Sequence, residues 1–259
     1  MWGEQKMYEK RLNKGQVRVY MYAPPLTRLD EISDDRLPDP PYAGVPREER
    51  SVYYYWWAFL RENADYWACC EAGGGGPLGD LYADFGDVRP TDFFSWWRKG
   101  GRDLFCEEPR KAVTVHQEIP ARHDFEKELL VSVPITCDTA QSLRELQLML
   151  RNVLAQQDSA KEDGVQTYST ARYPVHARPV IKSLHQALTI WRLRKKYQDE
   201  GVRRPLYLLA DDAKLPISIQ NRENDTATKN IKSVTASKTL AKAEALIKNV
   251  AMGRFPDDR

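Results

Sequence analysis

No apolar run in this chain of 259 residues approaches the roughly 20 residues that a membrane-crossing helix needs; the longest is Val52 to Leu60. The opening MWGEQKMYEKRLNKGQ lacks the apolar stretch of a secretory leader, so none is expected. Cysteine is scarce, four in all, and Cys69 and Cys70 are adjacent. With no CxxC pair and no disulfide-framework spacing, reduced thiols in a cytoplasmic protein are the simpler account. Catalytic signatures are missing too. GGGGPLGDLY offers neither the lysine nor the hydroxyl of a phosphate loop and reads as a flexible connector. No G-x-S-x-G elbow and no internal repeat occur.

Charge is present but unevenly placed. The formal net charge is only +2. From Thr170 to Arg259 there are 18 Lys/Arg and 9 Asp/Glu, a balance of +9. Met1 to Ser169 holds the other 21 basic and 28 acidic residues, a balance of −7. A basic last third beside an acidic remainder is a nucleic-acid footprint; two solvated faces, or two mutually attracting domains, would give the same balance.

Prolines and periodicity divide the chain. Six of the 16 prolines lie between Pro24 and Pro46, so residues 1–47 read as a Pro-rich extended arm. Residues 48–157 form an acidic, aromatic-cored α+β module. Its first helix carries Tyr53, Trp56, Trp57, Leu60, Ala64 and Trp67 on one face, and a second, capped by Thr91 or Asp92, carries Phe93, Trp96 and Trp97. Two β-branched runs, 112–119 and 128–135, predict an antiparallel hairpin. A helix beginning at Asp138 or Thr139 would bury Leu143, Leu146, Leu150, Val153 and Leu154. Residues 158–179 read as a linker. The basic helical module, 180–259, has three helices: one with Ile181, Leu184, Leu188 and Trp191 inward, a short one after Pro205, and a last from Ser237 to about Ala251 with Leu240, Ala243, Leu246, Ile247 and Val250 inward. The fold class is therefore α+β, mostly helical.

Three terminal helices, one of them short, have the outline of a helix-turn-helix-like bundle, although the loop after Pro216 is longer than in the compact motif. The candidate phosphate contacts are Arg203, Arg204, Arg222, Lys229, Lys232, Lys238 and Lys242. A plain bundle with a basic face is the competing account.

Other chemistries have thinner support. Asp80, Asp84, Asp87 and Asp92 cluster as metal ligands of a nuclease would, or as helix caps and turn residues. Cys69, Cys70, Cys106, Cys137, His116 and His123 lack paired ligand spacing, so no metal and no cofactor are expected. His185 borders an apolar stripe and reads as a packed residue. The aromatics lie in the acidic part, where a phosphate backbone is repelled, and read as core.

The stretches YYWWAFLREN, LYADFGDV, FFSWW and LFCEE, followed later by AEALIKNVAMGRFP, resemble a family of uncharacterised proteins encoded by bacterial prophages and integrative mobile elements. The resemblance covers about Ser51 to Pro256 and implies a bacterial cytoplasm and proximity to mobile DNA; it assigns no catalytic residue. The leading expectation is a non-enzymatic DNA-binding protein, duplex DNA favoured, with no membrane partner and oligomerisation possible. The alternatives are a protein-interaction, inhibitor or structural subunit acting through the acidic module and arm, and a metal-dependent nuclease.

Overall fold

A computed structural model describes residues 8–11, 17–25, 40–107, 131, 139–159, 169–217 and 225–259. They are mostly helical. In chain order they form β1 (Tyr8–Arg11), β2 (Val17–Tyr20), α1 (Val52–Leu60), α2 (Ala64–Glu71), α3 (Gly79–Phe85), α4 (Phe93–Lys99), α5 (Thr139–Ser159), α6 (Ile181–Asp199), α7 (Leu206–Asp212) and α8 (Asp225–Val250). β1 and β2 pair antiparallel, Tyr8 opposite Tyr20 and Arg11 opposite Val17. The chain divides into two compact units, Met1–Pro109 with Thr167–Arg259, and Arg110–Gln166. No described helix is long and apolar enough to cross a membrane.

The first unit is organised around α1. Every α1 residue but Tyr54 is buried, so the helix is apolar all round and not on one face as its spacing predicts. Trp56 meets Phe105 at 5.2 Å and Phe255 at 5.5 Å between ring centres, and Tyr53 stacks on Trp97 at 5.5 Å. The same core takes in Tyr20 from β2, Leu184 from α6 and Leu246 from α8. The part of the acidic stretch before Arg110 and the basic last third thus share one unit and one principal core. The expected arm is also partly core: Tyr20, Ala23, Pro24 and Pro25 are buried. Half of the expected linker is built in as well, since Val175 is buried and the Tyr173 N–H donates to the Leu104 carbonyl.

The single aromatic helix expected through Trp67 is two helices. Asn63 breaks it: its Oδ1 accepts from the Tyr66 N–H at 2.8 Å and so caps α2. The break turns Trp67 off the buried face, and it is 40% exposed. The Asn63 Nδ2 donates at 2.8 Å to the Ile247 carbonyl in the last turn of α8, one of the carbonyls a helix end leaves unpaired. The glycine run that follows α2 is ordered, not a loose connector. Gly73, at φ +62°, and Gly74 donate to the carbonyls of Cys70 and Cys69, the double bond of a Schellman cap. A Cβ on Gly74 would lie 2.5 Å from the Tyr82 ring.

α4, α6 and α7 stand where periodicity and caps predict them, with the Asp92 carboxylate accepting from the Ser95 N–H. α8 begins twelve residues before the predicted Ser237. Its polar first half is accommodated because Ser233, Thr235 and Thr239 donate their hydroxyls to carbonyls four residues back. The expected hairpin lies outside the described residues apart from residue 131. In the second unit, α5 forms as predicted, but its expected buried face does not hold: Leu143 and Leu150 are 55% and 45% exposed, and Leu146 is half-buried. No other described element of that unit stands against them. Val153 and Leu154 lie outside the described side chains.

Because one side chain serves two helix ends, Asn63→Ala should lower the unfolding free energy by about 2–4 kcal/mol, the cap and an orphaned buried carbonyl together. Urea denaturation measures it, and Asn63→Asp should recover only the share due to the cap.

Candidate nucleic-acid interface

The basic run of α6, Arg192-Leu193-Arg194-Lys195-Lys196, cannot act as one patch, because successive helical residues point about 100° apart. Arg192 donates to Glu62 at 2.8 Å, and Lys195 approaches the same carboxylate at 3.8 Å. Arg194 turns the other way, toward Glu244 on α8 at 3.4 Å. α6 ends at Asp199, and Gly201, φ +70°, follows the C-cap Glu200 with a left-handed backbone that redirects the chain into Val202-Arg203-Arg204 ahead of α7. α7 then packs Leu209 and Ala210 with Ile190, Ala236 and Leu240 in a second, smaller core. Between α6, α7 and α8 lies a cleft of about 530 Å³. Arg194, Tyr197, Arg203 and Arg204 rim it, and Leu209 and Leu240 floor it.

Six of the seven candidate cations are described, and they separate into two groups. Arg204 grips Asp212 with two hydrogen bonds, 2.7 and 2.9 Å, and Asp212 also accepts from the Tyr197 hydroxyl at 3.0 Å. Those bonds hold the Asp212 carboxyl below its ordinary pKa and raise that of Arg204. Lys229 pairs with Asp225 at 2.6 Å, Lys232 with Asp211 at 2.7 Å and Lys242 with Asp258 at 2.7 Å. Arg203 and Lys238 are exposed and have no carboxylate partner among the described residues. Arg222 lies outside the described residues. The fold therefore brings Arg203 and Arg204 together at the cleft and commits Lys229, Lys232 and Lys242 to ion pairs on or beside α8. Arg194 joins the cleft although it was not among the seven; its place in the basic run of α6 was the available signal.

Of the remaining constellations, Asp84 and Asp87 are engaged internally, and His116, His123 and Cys137 lie outside the described residues. Asp84 accepts from the Tyr173 hydroxyl at 2.6 Å and pairs with Arg172 at 2.8 Å. Asp87 takes a fork from Arg89, 2.9 and 2.8 Å. No group of three potential metal ligands forms among the described residues. Cys69 and Cys70 are buried, and burial first, with nearby Asp87, pushes the Cys70 thiol up to about 11. Thr189, His185 and Glu49 fall in relay order, with 3.3 Å between Thr189 Oγ1 and His185 Nε2 and 3.4 Å between His185 Nδ1 and Glu49. Thr189 sits in the middle of α6, however, where helical bonding uses the backbone N–H groups that would hold an oxyanion. Among protein families, curated proteins and solved structures, no match to the chain is found.

The Arg89 fork holds the Asp87 carboxyl down at about 2. An unfolded aspartate titrates near 3.9, so this pair's stabilisation is present above about pH 4 and is lost as pH falls toward 2. Thermal melts from pH 5 to about pH 2 should therefore show a smaller acid-induced drop in Asp87→Asn than in the parent chain.

Proposed function

We propose that the chain is a non-enzymatic DNA-binding protein acting in the cytoplasm beside a bacterial phage or mobile element. The α6–α8 face contacts duplex phosphates, and α8 is the groove element of a helix-turn-helix-like bundle. The observation that carries this reading is a residue of uncompensated charge. After the internal ion pairs are formed, Arg203 and Lys238 stand exposed without carboxylate partners among the described residues, and so do Lys182, Lys214 and Lys248. Such cations gain by replacing the counterions condensed on DNA. α8 has 26 residues and is about 39 Å long, enough to follow a groove. Residues 213–224 separate it from α7, a longer connection than the three or four residues of the compact motif.

A second reading, protein–protein interaction, is favoured by α5, where Leu143, Leu148 and Leu150 are exposed on one helix. In that reading the partner is a protein or a second copy.

Fluorescence anisotropy with a labelled duplex tests the first reading. Binding should appear at low salt and weaken log-linearly as salt rises from about 50 to 200 mM. Charge reversal must avoid Lys232 and Lys242, whose loss would break ion pairs. Arg203→Glu with Lys238→Glu should weaken binding on every sequence and reduce the salt slope by about 2. No binding at low salt rejects the reading.

A further inference from the structure

The cleft between α6, α7 and α8 has a composition that duplex binding does not explain. A duplex presents phosphates on its convex outside and keeps its bases stacked within. It can touch the rim of this cleft but cannot fill the floor, which is built from Leu209 and Leu240. At the mouth, Leu206 and Val202 are 38% and 47% exposed, so apolar surface continues outward beside Arg203. About 530 Å³ falls within the ~300–1,000 Å³ typical of sites for single small ligands. The occupant must therefore combine a flat or apolar body with an anionic group at one end.

We propose that this cleft receives one unpaired nucleotide, its base against Leu209 and Leu240 and its phosphate on Arg203 and Arg194. The proposal rests on the DNA-binding reading and names what part of the DNA that site takes. Pockets for splayed or flipped nucleotides pair apolar or aromatic walls with a few polar groups for the base edge. Here Gln198 and Ser237 line the walls and supply such groups. The three arginines have different freedom. Arg204 is fixed by its two bonds to Asp212 and lies 5.6 Å from the centre of the Tyr197 ring, which makes it wall, not free cation. Arg194 holds Glu244 only at 3.4 Å, with both side chains about half exposed, so a phosphate can exchange for that carboxylate. Arg203 has no partner to give up among the described residues. Glu244 is the one carboxylate on the lining. An acidic peptide would meet the same charge but would have to insert an apolar side chain, and that occupant is separated by experiment.

The experiment compares three labelled DNAs on the full chain by anisotropy: a blunt duplex, the same duplex with a single-stranded overhang, and the overhang strand alone. The overhang should bind about tenfold more tightly than the blunt duplex, the gain from burying roughly 55 Å² of apolar base surface against aliphatic side chains. Ala241 is exposed on the cleft wall, so Ala241→Trp fills the cleft without burying a new group in the core. That variant should bring the ratio of overhang to blunt-duplex affinity down to about one, and Ala241→Ser should keep the ratio at about ten. Equal affinity for blunt and overhang duplexes overturns the inference while the duplex reading stands. Binding of the single strand with none to the blunt duplex sinks the duplex reading and keeps the inference. An overhang preference that survives Ala241→Trp, or that is competed by a leucine-bearing glutamate peptide and not by thymidine 5′-monophosphate, assigns the cleft another occupant and overturns it.

Discussion

The all-round burial of α1 is the constraint on which the rest of the first unit depends. Each large side chain removed from water on this helix contributes roughly 1.5–3 kcal/mol, and nearly every α1 position makes such a contribution. A helix apolar on every side cannot be covered by its sequence neighbours alone. α6, α8 and the C-terminal Phe255 must return from more than a hundred residues away to cover it, with β2 and the turn at Phe105. The packing has a polar cost: the Tyr55 hydroxyl and the indole N–H groups of Trp56 and Trp57 are buried without a hydrogen-bond partner among the described residues. Asn63 stands where α1 ends and gives α2 its cap and α8 a donor, so the closure of the core and the register of two helix ends are one event.

That closure also explains the charge polarity. Within the first unit, the acidic residues before Arg110 and the basic last part are folded together, and the contact between them is partly ionic. Glu62, directly after α1, holds Arg192 and Lys195 of α6, and Asp84 of α3 holds Arg172. Mutual attraction between the two charge blocks, one of the bland accounts of the composition, is therefore real but incomplete. It neutralises Arg172, Arg192 and Lys195, further pairs within the basic part engage Arg204, Lys229, Lys232 and Lys242, and Arg203 and Lys238 stay exposed without a carboxylate partner among the described residues. The electrostatic question thus narrows from a third of the chain to a few exposed side chains.

What could be read from residues alone follows the range of the forces involved. α4, α6 and α7 are set by local terms, a cap, a helical stripe or a proline, and they appear where those terms place them. The break at Asn63 is local too, yet an aromatic stripe that continues across it at helical spacing hides it. The early start of α8 is hidden by serines and threonines that read as loop and bond back into the helix. The cleft was only partly legible. Lys229 with Asp225 is an i, i+4 pair visible in sequence, whereas Asp211 against Lys232 and Asp258 against Lys242 exist only because the fold brings distant segments together. A count of lysines and arginines could suggest a basic face. It could not say which of them already had a partner.

A buried carboxylate stands where the chain leaves and rejoins the first unit. Glu107 is buried, and a buried carboxylate is tolerated only with full hydrogen bonding. It receives the Ser169 hydroxyl at 2.6 Å, the Thr170 N–H at 2.6 Å, the Thr170 hydroxyl at 3.0 Å and the Ala171 N–H at 3.2 Å, while its own N–H donates to Val19. Those partners lie 62 to 64 residues away in sequence, across the stretch that contains the second unit. Closing so long a segment costs entropy that grows only slowly with its length, so a cluster of charge-assisted bonds at its base can hold the two ends together. The described core around α1 is built from first-unit residues that lie before Glu107 and after Ser169.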